Sequence, residues 1–453
     1  MRQQQTVSAY LFLFFFFLNF TSLCAIHNGS RYFPFLERPE NYLLRKPYLH
    51  VAGFYASADT AFKRGGKNGG IPELWGNYDL QDVIRSLQVV RAGQGQPFVN
   101  PIVTETGSTE FANPSIPLKF SVSSRVHSQG IILNYEHNLN YQGLSVGVWL
   151  PIIDVTAVTR YNFLSSDFMA ALSRPLTFNE LARLTILMDK IRRSTHDLIG
   201  FTQNQWQKTG FGDLDIHLRG NNFFDHKLLM RSINIDTQVG LIIPTGALSQ
   251  NDNPSSVSFM GDGHVGLYVD VVPEFELKQD LKVGFMFSSL YQFKNERTVR
   301  IPVYKEPAIY SSLVGKLEVD PGWTLKLSPY IIFENFTDGL HFQARYTYLR
   351  HAIDRYADVR LDKAIPSFLT LMPGQLTDTT TLAQSDIDQN SAQKQDLSKW
   401  RSHYISLQVM YNSKDALHNL SMDPNAYILY DWPIGGNGIS KTHQVTVGVE
   451  LHF

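Results

Sequence analysis

From residue 47 to its end, the chain returns again and again to a period-two alternation of apolar and polar side chains. That is the pattern of a strand with a different environment on each face. The last segment is the clearest: Val445, Val447, Val449, Leu451 and Phe453 share one face, while Gln444, Thr446, Gly448, Glu450 and His452 share the other. In 213–219, Leu214, Ile216 and Leu218 alternate with Asp213, Asp215, His217 and Arg219. In 233–243, Ile233, Ile235, Val239, Leu241 and Ile243 oppose Ser232, Asn234, Asp236 and Gln238. The pattern recurs in 264–271, 340–348 and 404–411. Strands are expected near 47–58, 117–137, 142–161, 211–220, 229–244, 263–276, 281–293, 322–334, 339–350, 401–412, 423–431 and 441–453.

Alternation alone fits a soluble sheet as well as a membrane one; the connections separate them. Short links near 138–141, 221–225, 278–280 and 337–339 alternate with long ones at 59–116, 163–210, 245–261, 294–322 and 351–400. Tight turns on one side and long loops on the other describe a transmembrane barrel. The expected fold is all-β, one antiparallel transmembrane β-barrel of about 12 strands. Fourteen remains open because the second and third strands look long enough to be divided. The link at 412–422 is longer than a tight turn and counts slightly against the scheme.

The N-terminus sets the compartment. Arg2 precedes an apolar run from Tyr10 to Leu18, and Thr21, Ser22, Leu23, Cys24 and Ala25 follow. A basic start, a short apolar core and a small-residue end read as a cleaved secretory signal peptide over 1–25. A membrane-spanning helix needs about 20 apolar residues, more than this run offers. Cleavage after Ala25 removes Cys24, the sole cysteine, and Leu23 before it disfavours a lipoprotein reading. The expected organisation is a signal at 1–25, an N-terminal periplasmic or plug segment at 26–46, and the barrel at 47–453.

Composition changes this picture little. Lys plus Arg (40) nearly balances Asp plus Glu (41), which removes the electrostatic footprint of a nucleic-acid binder. Mean hydropathy is slightly negative, as expected of a barrel with one apolar and one polar face. Tyr291 with Phe293, Tyr346 with Tyr348, and Tyr427 with Tyr430 suggest aromatic girdles, although sheets favour aromatics anyway.

The ending Val445-x-Val447-x-Val449-x-Leu451-x-Phe453 resembles the signal read by the outer-membrane barrel assembly machinery. Gly210-Phe-Gly-Asp213, Gly240-Leu-Ile-Ile-Pro-Thr-Gly246 and Gly143-Leu-Ser-Val-Gly-Val-Trp-Leu-Pro151 look like motifs of the channel-type barrels of phenol-degradation (meta-pathway) transport, over roughly 133–290. That resemblance implies a passive channel for small organic molecules.

Other chemistry is outweighed by simpler readings. Gly210-x-Gly212-Asp213 and Gly261-Asp-Gly-His264 precede strands, whereas a phosphate loop precedes a helix. The 14 histidines are scattered without metal-ligand spacing, so no metal or other cofactor is expected. Ser402 and His403 are strand neighbours and point to opposite faces. Asp215 and His217 share a face but read better as hydrated wall than as a catalytic pair, so no enzyme is expected. Thr177-Phe-Asn-Glu180 has capping-box spacing, followed by Leu181, Leu184, Met188 and Ile191 at helical spacing. Arg183, Lys190, Arg192 and Arg193 accompany them, suited either to packing on other loops, to narrowing a pore or to meeting lipopolysaccharide phosphates. A weaker helical pattern covers 79–89.

The function expected is an outer-membrane channel for passive or facilitated diffusion of small solutes, hydrophobic ones among the candidates. Its pore lining would be Asp213, Asp215, His217, Arg219, Asn234, Asp236, Gln238, His264, Tyr268, Asp270, His341, Gln343 and Arg345. Its partners would be outer-membrane lipid and lipopolysaccharide, the assembly machinery and the solute, with no nucleic acid. A structural or adhesin-type barrel and, behind it, a barrel enzyme are the alternatives.

Overall fold

The computed structural model describes residues 30–33, 47–93, 97–107, 116–139, 143–164, 177–201, 204–225, 230–303, 305–358, 396–412 and 423–452. The expected signal segment 1–25 and Phe453 lie outside them, as does most of the expected periplasmic or plug segment 26–46.

Twelve strands make the wall: β1 Tyr48–Ala58, β2 Lys119–Asn138, β3 Leu144–Phe163, β4 Leu214–Asp225, β5 Ser232–Ile243 and β6 Gly266–Lys278. The second half is β7 Leu281–Gln292, β8 Thr324–Thr337, β9 Leu340–His351, β10 Trp400–Asn412, β11 Asp423–Asn437 and β12 His443–His452. Each pairs antiparallel with its neighbours in sequence, and β12 returns to β1, with Tyr48 opposite His452 and Ser57 opposite His443. The ring therefore leaves no unpaired edge, which a sheet in hydrocarbon requires.

The alternation seen in the sequence is laid down inside out. On β12 the buried residues are Gln444, Thr446 and Glu450, while Val445, Val447 and Val449 are 36–54% exposed. The same inversion puts Ile216 and Leu218 outside β4, Val239 and Leu241 outside β5, and Ile405 and Leu407 outside β10. A continuous apolar belt of this size is untenable in water, where exposed patches rarely exceed a few hundred Å². It suits a wall whose outer solvent is lipid.

Two sequence expectations shift. The turn expected at 221–225 is strand, since β4 runs on to Asp225. The long second and third strands are single strands of 20 residues each. A tilted strand crosses a bilayer in about 9–11 residues, so both project beyond the wall. There β2 receives Tyr78–Asp79 and β3 receives Gln205–Phe211, which is why extra strands are not needed in the ring. Tyr427 also departs from the aromatic-girdle reading: its ring points inward and is buried, whereas Tyr430 is 39% exposed.

The long loops form an ordered layer on one end. It contains α1 Leu80–Gly93, α2 Pro101–Thr106 and α3 Phe178–Leu198. It also holds a three-stranded sheet made of Asn295–Ile301, Leu313–Asp320 and Arg355–Asp358. At the start of α3, Glu180 N–H donates to Thr177 Oγ1 (3.3 Å) and Thr177 N–H to Glu180 Oε2 (2.8 Å), closing the capping box. Leu184, Met188 and Ile191 then pack with Val83, Ile84 and Leu87 of α1 and with Phe120 and Tyr310. This second hydrophobic core, built on the projecting ends of β2 and β3, explains how the loops hold their shape.

Candidate functional site

The barrel interior is built by whichever side chains the alternation turns inward, and apolar and polar ones are interspersed there. Ala52, Phe54, Ile132, Trp149, Ile153 and Leu429 of β1–β3 and β11 belong to one buried apolar cluster. Val272, Met286 and Tyr330 of β6–β8 form another. The rest of the inner face is largely polar and charged, on β12 (Gln444, Thr446, Glu450) as well as around β4–β10.

Two groups of paired charges stand out on it. In the first, Glu136 of β2 accepts from Arg219 Nη1 (3.1 Å), Tyr48 OH (2.9 Å) and Ser145 Oγ (2.9 Å). Arg219 Nε donates to Asp236 Oδ2 (2.7 Å), which also accepts from Asn221 (3.3 Å). His217 lies between two carboxylates, with Nδ1 2.9 Å from Asp215 and Nε2 3.4 Å from Glu136. With both nitrogens engaged, this ring has none left to act as a base, which weighs against Asp215–His217 as catalytic machinery. Tyr268 OH donates to Asp215 (2.9 Å) and accepts from Gln238 Nε2 (2.5 Å). Ions this deeply buried persist only when paired and hydrogen-bonded, so the group is an interlocked unit. In the second, Arg345 of β9 reaches Asp431 of β11 (3.4 Å) and Ser406 of β10 (3.3 Å).

Glycine makes the first group fit. A Cβ on Gly147 of β3 would stand 2.2 Å from His217 Nε2 and 2.7 Å from Glu136 Cγ, so these side chains meet across β3 because position 147 is bare. Tyr268 lies over its cross-strand partner Gly240 in the same way, 2.3 Å from where a Cβ would be. Tyr330 over Gly284 and Tyr427 over Gly448 repeat the arrangement.

Most of the sequence-derived wall residues lie on this inner face. Asp215, His217, Arg219, Asn234, Asp236, Tyr268, Asp270, His341, Gln343 and Arg345 are buried there, and Gln238 is half-buried. Two sit elsewhere. Asp213 precedes β4, and its carboxylate accepts from the backbone N–H of Gly246 (2.9 Å) and of Gly261 (2.7 Å). It thereby ties together three of the glycine motifs, 210–213, 240–246 and 261–264, as a strut between loops. His264 precedes β6, donates Nδ1–H to Phe293 O (2.9 Å) and lines a cavity of about 230 Å³ in the mouth. Ser402 is buried inward while His403 meets Tyr346 outside (2.6 Å), so the two do not come together.

Sequence reading missed Glu136, Tyr48, Lys326, Ser406 and Asp431. Glu136 and Asp431 were within reach of the alternation rule, because Tyr135 and Tyr430, their exposed neighbours, fix the phase. The apolar inner residues of β2 and β3 were harder to see. Ile131-Ile-Leu133 and Leu150-Pro-Ile-Ile153 are apolar on both faces, so alternation is blurred there.

The inner face also carries buried polar atoms without a hydrogen-bond partner among the described residues: Ser288 Oγ, Gln343 Nε2, Ser402 Oγ, Gln408 Nε2 and Oε1, and Gln444 Oε1. Such groups are satisfied by water or by a polar solute.

No family model matches the chain, and no curated protein matches it in sequence. Among solved structures, the fold is similar to an outer membrane channel from Pseudomonas putida F1, at 7% identity over 92% of this chain and 100% of that one, with a TM-score of 0.49. It is also similar to the transport unit of the autotransporter AIDA-I from Escherichia coli (7% identity, 95% and 99% covered, TM-score 0.36). A Pseudomonas aeruginosa FadL homologue follows, at 9% identity with 90% of each chain covered and a TM-score of 0.27.

Proposed function

We propose that this chain is an outer-membrane channel for passive or facilitated diffusion of small solutes, hydrophobic or amphipathic in character. The observation that carries the reading is the inverted closed barrel: apolar side chains outside, and inside a lumen that mixes buried apolar clusters with polar and charged side chains. Twelve strands lie between barrels filled by side chains and wide aqueous porins, so a narrow passage is the natural size. Open hydrogen-bonding positions such as Gln343 and Gln408 suit a path that water or solute shares. A lumen of mixed character offers a solute both apolar contact and hydrogen bonds. Export by the N-terminal signal, recognition of the C-terminal strand by the assembly machinery and contact of the outer layer with lipopolysaccharide belong to the same proposal.

Single-channel recording in a planar bilayer tests it. Discrete openings are expected, and Gln343→Lys should shift ion preference toward anions, because it adds a cation to the wall without breaking an ion pair. A second reading, a barrel that works through its outer surface, is favoured by the interlocked charges around Glu136 and Arg219. Silent bilayers from protein that still shows a heat-modifiable band would select that reading and discard the channel.

A further inference from the structure

The mouth cavity of about 230 Å³ holds a feature that the lumen does not explain. Residues 30–33 lie inside the barrel mouth: Phe33 packs against Ala52, Phe54 and Ala56, and Tyr32 O accepts from Thr442 Oγ1 (2.6 Å). Beside them Arg31, 6% exposed, lies with its guanidinium 4.3 Å from the centre of the Trp75 ring. Nη2 donates to the carbonyls of Leu397 (3.0 Å) and Ser398 (2.5 Å). Nη1 has no hydrogen-bond partner among the described residues, and Arg31 makes no ion pair with any of them. A buried guanidinium spread over carbonyls and a ring face is short of an anion.

The rest of the cavity agrees. Its charged lining is Arg31, Arg297 and Arg300 against Asp262 and Asp354, three cations to two anions. Arg297 is taken by Asp262, while Asp354 is hydrogen-bonded to His351 at 2.8 Å and acts on Arg31 electrostatically without forming an ion pair with it. Three cations to two anions leave one positive charge unmatched, and of Arg31 and Arg300 it is Arg31 that keeps an open donor, because Arg300 donates to the carbonyls of Asn251, Ser311 and Ile199. Tyr32, Trp75, Tyr356 and Trp400 supply aromatic walls. The volume falls below the roughly 300 Å³ at which pockets for drug-sized ligands begin, which limits the occupant to about one ring.

We propose that the mouth cavity binds a small aromatic carboxylate, with Arg31 taking the carboxylate and the aromatic walls taking the ring. Charge-assisted bonding to a planar carboxylate is what a guanidinium with a free donor does best. The proposal deepens the channel reading, since it names the solute class met at the entrance, and it rests on that reading for its purpose. Binding itself is measured in micelles, where no passage is read, so a failure here and a failure of conduction are told apart.

The test is calorimetric titration of the full protein in detergent with benzoate and, separately, with its neutral analogue benzyl alcohol. Benzoate should bind at least about tenfold more tightly. Arg31→Gln should bring the two within about twofold of each other. Asp354→Asn, which removes the carboxylate whose charge offsets Arg31, should strengthen benzoate binding several-fold and leave benzyl alcohol unchanged. Equal affinities in the wild type, or a folded Arg31→Gln protein that keeps the preference, would overturn the proposal. If Arg31→Gln loses its heat-modifiable band, the Asp354→Asn result decides: a gain supports the site, because misfolding does not create affinity, and an unchanged preference refutes it.

Discussion

At the scale of single residues, this barrel is specified by pairs of unlike size. Tyr268 packs over Gly240 and reaches Asp215, which also meets His217. The hole at one position is what lets the next side chain arrive. Gly240→Leu tests this, because it leaves the backbone pairing chemically intact while filling the space of the Tyr268 ring. Overpacking of this kind usually costs about 1–3 kcal/mol, and here it also detaches Tyr268 from a buried carboxylate. The expected outcome is a fall in the urea midpoint of the folded, heat-modifiable band, with Tyr268→Phe giving a smaller fall because it loses the bond and keeps the ring. A Gly240→Leu protein as stable as the wild type would show that the ring has another place to go. No glycine in the sequence announces this role. Gly147, Gly240 and Gly448 stand in alternating strands like any small residue, and only the register reveals what crosses over them.

At the scale of elements, the wall and the outer layer were unequally legible. Period two fixed the strands and their inner faces because the same two environments repeat twelve times. The capping box fixed α3 because its two bonds are local. The interior pairs were not legible, since Glu136, Arg219 and Asp236 come from β2, β4 and β5 and only closure brings them together. The outer sheet of 295–301, 313–320 and 355–358 was read as loop, because its strands are short and its third comes from a different connection. Under that sheet lies Glu306, 3% exposed, which accepts from Val303 N–H (2.8 Å). Burial pushes its carboxyl up to about 6, while an exposed Glu sits near 4.5. Below about pH 4.5 the group is protonated whether the layer is folded or not, and contributes nothing. Above about 6 the folded layer must bury the charge, at a cost on the order of 2 kcal/mol. The outer layer should therefore lose resistance to a protease as pH rises between these values, and Glu306→Gln should remove about half of that slope. Asp82, also pushed up to about 6 by burial and by Asp79, supplies a comparable share. A slope that Glu306→Gln leaves unchanged would assign the effect elsewhere.

At the scale of the whole molecule, the asymmetry between the two ends is what gives the barrel a direction. One end carries the start of β1, the end of β12 and tight turns such as Thr337 to Leu340. The other carries the helices, the three-stranded outer sheet and the mouth cavity, an ordered layer with its own core. A strand-by-strand crossing leaves the bulky end outside the cell, because loops of that size are threaded outward while short turns stay at the periplasmic face. Cysteine labelling decides whether this orientation is right. The sequence contains only Cys24, within the expected signal segment, so a cysteine introduced in the barrel is read against little background. Ile186→Cys stands on α3 at a position 73% exposed, and Asp338→Cys stands in the turn between β8 and β9. A membrane-impermeant maleimide added to intact cells should label the first and leave the second unlabelled until the outer membrane is permeabilised. The reverse pattern would put the mouth cavity and Arg31 on the periplasmic side, and would make the cavity an exit for solute rather than the place where it is first met. Labelling of both sites in intact cells would mean that the reagent passes the barrel, and a bulkier impermeant maleimide then restores the distinction.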